Sequence, residues 1–176
     1  RRRIFERLFE FRFPALVITR GLCGYPELRL TADAVLCSHG HADHNYAQGV
    51  ALSGRPCAVS VETLPCFHDS VQGAKRGPDL IHILSAEGMR IAHLGDLGHG
   101  LDLEQLEKLR GVDVLMIPVG GYFTIDARQA HHIVEELRPR IVLPMHYRGE
   151  GFGYDVLSTV DDFLSLRCDV VRCPGS

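Results

Sequence analysis

Ser38-His39-Gly40-His41-Ala42-Asp43-His44 packs three imidazoles and a carboxylate into one short segment. Neutral imidazole nitrogen is a strong ligand for borderline divalent metals, and carboxylate oxygen completes such sites. In an extended stretch alternate residues share a face, so His39 and His41 can hold one ion together. A chain that turns into a helix just beyond them would aim Asp43 and His44 towards a second ion. The plainer alternative is a solvated histidine-rich loop. It fits poorly, because Ala34-Val35-Leu36-Cys37 reads as a buried strand running straight into the segment, and a buried loop has every ring nitrogen to satisfy.

Short apolar strands and amphipathic helices alternate around this segment. Cys57 to Val61 reads as a strand, and a Gly-rich loop from about Phe67 to Asp79 follows it. Leu80 to Leu84 and Met89 to Leu94 read as strands joined by a turn at Glu87-Gly88, and Leu101 to Leu109 has helical spacing. Val112 to Val119 is a buried strand. Asp126 stands where a helix cap is expected, with the helix running to Leu137 before Pro139. Ile141 to Leu143 is a strand, Val156 to Leu166 a helix and Cys168 to Val171 a last strand. The interleaving predicts a single α/β (α+β) domain over residues 1–176.

The chain has 176 residues, is 45% hydrophobic and carries a net charge of -3, enough for a substantial core and with no general affinity for nucleic acid or anionic membrane. No apolar run is long enough to span a bilayer and no signal-peptide pattern is present, so a cytoplasmic protein is expected. The six cysteines are scattered without a Cys-x-x-Cys pair and are expected to be reduced. Residues 1–30 stand apart, with seven arginines and three glutamates. Phe9, Phe11 and Phe13 alternate with Glu10 and Arg12 as in a strand, whereas Ile4, Phe5, Leu8 and Phe9 would make one face of a helix.

Over roughly residues 25–172 the chain resembles the metallo-β-lactamase superfamily, whose HxHxDH signature is Ser-His-Gly-His-Ala-Asp-His here. Ile91-Ala92-His93-Leu94-Gly95-Asp96 resembles the family's strand ending in Gly-Asp. Leu143-Pro144-Met145-His146-Tyr147 resembles the strand and loop that supply its last histidine. Pro118-Val119-Gly120-Gly121-Tyr122-Phe123-Thr124-Ile125-Asp126 is similar to the small zinc-dependent hydrolases related to ascorbate-6-phosphate lactonases. The resemblance implies a four-layer αββα sandwich and two metal ions. One would be held by His39, His41 and a third histidine, the other by Asp43, His44 and His146, with Asp96 bridging. The third histidine is one of His68, His82 and His93. His68 is the first choice, because it heads a loop with Gly73, Arg76 and Gly77, and His93 is the fallback. The family's N-terminal hairpin carries an aspartate after its second strand, and Arg20 stands near that place. A truncated or atypical segment over residues 1–24 is therefore expected.

Zinc is the expected metal, and the donor set also suits manganese or iron. The implied reaction is attack on a small ester, lactone or phosphorylated metabolite by a hydroxide shared between the ions, with Asp43 and Asp96 as the catalytic carboxylates. A small-molecule substrate is expected, without nucleic acid or membrane. Two alternatives stand beside this: a phosphodiesterase or nuclease, which would want a basic groove, and a metal-binding domain without turnover. His99, Gly120-Gly121 and Tyr147 could line the cleft, although exposure, a tight turn and ring packing explain them as simply. His131 and His132 are adjacent on one helix and make a poor metal pair.

Overall fold

The computed structural model describes Ala15–Leu16 and residues 30–172, in a chain that divides into two compact units, Arg1–Val59 and Ser60–Ser176. In the first unit β1 (Ala15–Leu16) pairs in parallel with β3 (Val35–Leu36), and β2 (Leu30–Ala32) pairs in parallel with β4 (Val50–Leu52). Val35 and Tyr46 pack on Ala32 and Val50. Of the buried strand expected at Ala34–Cys37, only Val35–Leu36 forms, as β3, and it is half-buried. Beyond it the histidine segment turns at residues 42–44 and leads to a single 3-10 turn at Ala47–Gly49 in place of the expected helix. Apart from β1, the atypical segment over residues 1–24 lies outside the described residues.

The second unit is built on a five-stranded sheet ordered β5 (Ser60–Phe67), β6 (Pro78–Ala86), β7 (Met89–His93), β8 (Val114–Pro118) and β9 (Ile141–Met145). The first three strands are antiparallel, and β7, β8 and β9 run parallel. The sheet is mixed, so the α/β class stands. Pro65 fits β5 because that strand lies at the sheet edge, where a missing N–H costs no ladder bond. Glu87 and Gly88, both at positive φ (47° and 75°), make the tight turn between β6 and β7.

Parallel strands need crossovers, and two helices supply them. In α1 (Leu103–Leu109) Asp102 and Gln105 form a capping box, and Gln105 also donates to the Pro65 carbonyl. In α2 (Ala127–Leu137) Asp126 and Gln129 form a second box, so Asp126 is the cap its position predicts. Ala130, Ile133, Val134 and Leu137 recur at i, i+3, i+4 and i+7 and bury one stripe against Leu115, Ile117 and Phe163. Full burial of each large aliphatic side chain contributes about 1.5–3 kcal/mol.

The C-terminal expectations need correction. The helix read over Val156 to Leu166 is only α3 (Val160–Leu164), because Ser158 donates its N–H to the Gly120 carbonyl and the Leu157 carbonyl accepts from Arg148. The strand read over Cys168 to Val171 does not form: among the described residues it has no ladder partner, and Asp169 pairs with Arg167 instead. Among the described residues Cys37, Cys57, Cys66 and Cys168 are in no disulfide, and no helix is long and apolar enough to cross a membrane.

Candidate metal centre

In the first unit the imidazoles of the signature gather around His39. Its ring lies 4.6 Å from that of His41, nearly perpendicular, and 4.5 Å from that of His44. The His44 N–H closes the turn on the His41 carbonyl at 2.9 Å. His39 Nδ1 shares a 2.9 Å hydrogen bond with Ser38 Oγ, an outer partner that helps to fix the ring. Asp43 Oδ2 stands 3.6 Å from His44 Nε2.

In the second unit three other predicted residues meet. Asp96 Oδ2 lies 3.0 Å from His68 Nε2 and 3.3 Å from His146 Nε2. They come from the loop after β5, the turn after β7 and the loop after β9, all at one end of the sheet. His68 Nδ1 donates to the Phe123 carbonyl at 3.1 Å, so Nε2 is the nitrogen aimed at Asp96. Burial alone would pull His68 down, but the hydrogen bond and charge of Asp96 outweigh it and raise its pKa. His93 is committed differently. Its Nδ1 accepts the Gly95 N–H at 3.0 Å, which leaves the ring proton of the neutral form on Nε2. His82 is buried in β6 between Thr63 and His93, a core histidine.

Asp79 and Gly98, which motif reading did not single out, hold this cluster in place together with Gly95 and His99. Asp79, 1% exposed, accepts the Asp96 main-chain N–H at 2.6 Å, and burial and the Asp79 charge together push the neighbouring Cys66 thiol up. Gly95 sits at φ +55°, and a Cβ there would come within 2.4 Å of Asp79 Oδ2, so only glycine allows the contact. Gly98 donates to the Phe67 carbonyl, and His99 Nε2 accepts the Phe67 N–H while its Nδ1 donates to Gly100. Both nitrogens of His99 therefore bond main chain, one of them at the residue before His68, and the ring is half-buried. A carboxylate in the second position of a mostly apolar strand, directly after its opening Pro78, is the sequence signal that could have revealed Asp79.

Asp69, beside His68, organises its own loop. Its Oδ1 accepts the N–H groups of Val71 and Gly73 and its Oδ2 those of Lys75 and Arg76, at 2.8–2.9 Å. Burial opposes the charge, but these four bonds outweigh it and lower the carboxyl from 3.8 to about 2. A carboxyl held lower in the fold than in the free chain stabilises the loop at higher pH, and that contribution disappears as pH falls through the folded value. Amides 71, 73, 75 and 76 are therefore expected to stay protected above about pH 4 and to lose protection between about pH 4 and pH 2. Hydrogen exchange corrected for intrinsic rates reads this, and Asp69→Asn should show the opened loop already at neutral pH. Unchanged protection in that variant would refute the account.

The other expectations are settled by packing. The Gly121 N–H donates to the Ile125 carbonyl, so that amide closes a turn and is not presented to an anion. Gly120 admits the His146 carbonyl, which would lie 2.1 Å from a Cβ there. Tyr147 packs on the core and on Phe152. His132 is exposed and 3.8 Å from Glu136, as a surface role predicts, while His131 is half-buried beside it on α2.

Comparison with known proteins agrees with this arrangement. The family described as Beta-lactamase superfamily domain matches residues 17–146. A metal-dependent hydrolase of Carboxydothermus hydrogenoformans is 29% identical over 167 residues, covering 72% of this chain and 74% of that protein. One from Thermococcus onnurineus is 30% identical over 152 residues, covering 67% and 68%. Among solved structures, a Thermotoga maritima protein described as a Zn-dependent hydrolase of the metallo-β-lactamase superfamily superposes with TM-score 0.64 at 33% identity, covering 80% of this chain and 72% of that one. A Parabacteroides distasonis protein shares the fold, with TM-score 0.59 at 20% identity over 79% of this chain and 73% of its own. With the family matched across most of its length, the chain belongs to the metallo-β-lactamase superfamily and falls among its metal-dependent hydrolases.

Proposed function

We propose that the protein hydrolyses a small ester, lactone or phosphorylated metabolite with two divalent metal ions, zinc first among them. The observation that carries this reading is the convergence of His68 Nε2 and His146 Nε2 on one oxygen of Asp96, at 3.0 and 3.3 Å. Ligand atoms bonded to one tetrahedral zinc at about 2.0–2.1 Å stand roughly 3.3 Å apart, so donor types and spacing both suit a metal. The Phe123 carbonyl on His68 Nδ1 is the outer partner that metal-binding histidines ordinarily have. We assign His39, His41 and His68 to one ion, Asp43, His44 and His146 to the other, and Asp96 to both. His68 is preferred to His93 because its Nε2 faces Asp96 at 3.0 Å while its Nδ1 is held by the Phe123 carbonyl.

Bound there, divalent cations would bring a water's pKa towards neutrality and polarise the scissile oxygen. The chain's own residues do the positioning. Asp96 is fixed through its main chain by Asp79, so its carboxylate needs no reorganisation as charge develops. Asp43 would orient the attacking water. Phe123 keeps the His68 proton on Nδ1 throughout.

Freshly purified protein is expected to carry about two transition metals per chain, to lose activity on chelation and to regain it with zinc or manganese. Activity is read on phenyl acetate, γ-butyrolactone and bis(4-nitrophenyl) phosphate. Turnover of the phosphodiester alone would favour a phosphodiesterase. Metal without turnover of any of them would favour a binding domain, and no metal at all would sink the proposal.

A further inference from the structure

Beside His146 the second unit carries an aromatic group that neither fold nor metal chemistry requires. The Phe123 ring lies 6.4 Å from the His146 ring, 4.7 Å from Tyr122 and 6.0 Å from Tyr154. Tyr122 is 64% exposed and Tyr154 38%, so two phenol rings face solvent next to the cluster. Tyr122 also holds φ +58°, a conformation that bulky L residues rarely adopt and that concentrates where function demands it.

Arg76 completes the group. Its guanidinium carbon stands 5.4 Å above the Phe123 ring and Nη2 donates to the Tyr122 carbonyl at 3.1 Å. A guanidinium has five N–H donors, and among the described residues no carboxylate pairs with this one. Other arginines are spent on structure: Arg55 on Asp33, Arg140 on Asp113, Arg167 on Glu135 and Asp169, and Arg90 on the carbonyls ending α1. Arg76 is instead held over a ring, at the edge of the candidate centre, with a planar fork still able to receive an anion. Its backbone is secured separately, through the N–H that Asp69 accepts, so the loop does not depend on the side chain.

We propose that Arg76 receives an anionic group of the substrate while Tyr122 and Tyr154 flank its flat or apolar part, which narrows the substrate to a small anionic ester, lactone or phosphoester. This deepens the hydrolase reading and rests on it. The test is calorimetric titration of the zinc-loaded protein with phenylphosphonate and with benzoate, in wild type, Arg76→Ala and Arg76→Lys. Metal content and unfolding temperature are checked in each.

Arg76→Ala is expected to weaken the preferred anion about tenfold or more, with metal content unchanged. Arg76→Lys, which keeps the charge and loses the fork, should lie between. The tighter of the two probes in wild type identifies phosphate or carboxylate as the group received. Equal affinity in all three proteins would overturn the proposal, since the anion would then be held without Arg76. Turnover of phenyl acetate, γ-butyrolactone and bis(4-nitrophenyl) phosphate by wild type is measured alongside. Arg76-dependent binding without turnover of the ester panel would retire the hydrolase reading and leave the anion site, whereas turnover with Arg76-independent binding would do the reverse.

Discussion

Asp96→Ala is expected to lower turnover by about a thousandfold or more, because the chemistry supplied by a metal-activated water is worth several kcal/mol and each 1.4 kcal/mol is about a factor of ten. Metal affinity should fall by more than about a hundredfold, the upper end of what losing an outer partner costs. The reason is geometric: one carboxylate oxygen faces both His68 and His146, so a single truncation removes the group they share. The main chain of residue 96 stays tied to Asp79, and the variant is therefore expected to keep its fold. Metal analysis, circular dichroism and kinetics on the same sample separate these effects. Wild-type metal content together with wild-type turnover would remove Asp96 from the centre. Asp96→Asn, which keeps the shape and one acceptor oxygen, should retain more metal than the alanine variant.

Gly120→Ala is the second large effect, although position 120 offers no ligand atom. A Cβ there would lie 2.1 Å from the His146 carbonyl oxygen and 3.2 Å from the Tyr147 Cα, both main-chain atoms that cannot swing aside. His146 already occupies φ +55°, so the loop has little slack to absorb the displacement. Overpacking of this kind costs about 1–3 kcal/mol. In a protein of this size it lowers the unfolding temperature by roughly 3–10 °C. His146 should move with its backbone, so metal retention falls as well. Gly100→Ala is the control, since a Cβ there meets nothing within 4 Å. A Gly120→Ala protein as stable and as metal-rich as wild type would show that the two loops do not press on each other.

The parts of this centre written contiguously were legible in the sequence. The histidine segment, Gly95-Asp96 and His146 are each carried by a short motif, and of these the structure brings Asp96 and His146 together. The helix after Asp126 was found because its cap and apolar stripe are local signals. What was missed depends on tertiary approach. Asp79 matters only because Asp96, 17 residues on, returns to it through a glycine turn. The proposed preference for His68 over His93 rests on a carbonyl 55 residues away in the chain, which holds His68 Nδ1. The strand read at Cys168 to Val171 had suitable residues but no neighbour, and a strand without a partner has no ladder to join.

Phe123 divides its labour between its two halves. Its carbonyl sets the proton on His68, while its ring belongs to the aromatic group beside His146. Any residue at position 123 supplies the carbonyl, whereas each supplies a different surface. Chemistry entrusted to the main chain is insulated from substitution, and the side chain above it is available for variation. A lineage could therefore change what this enzyme accepts, one residue at a time across positions 122, 123 and 154, without surrendering the orientation of His68.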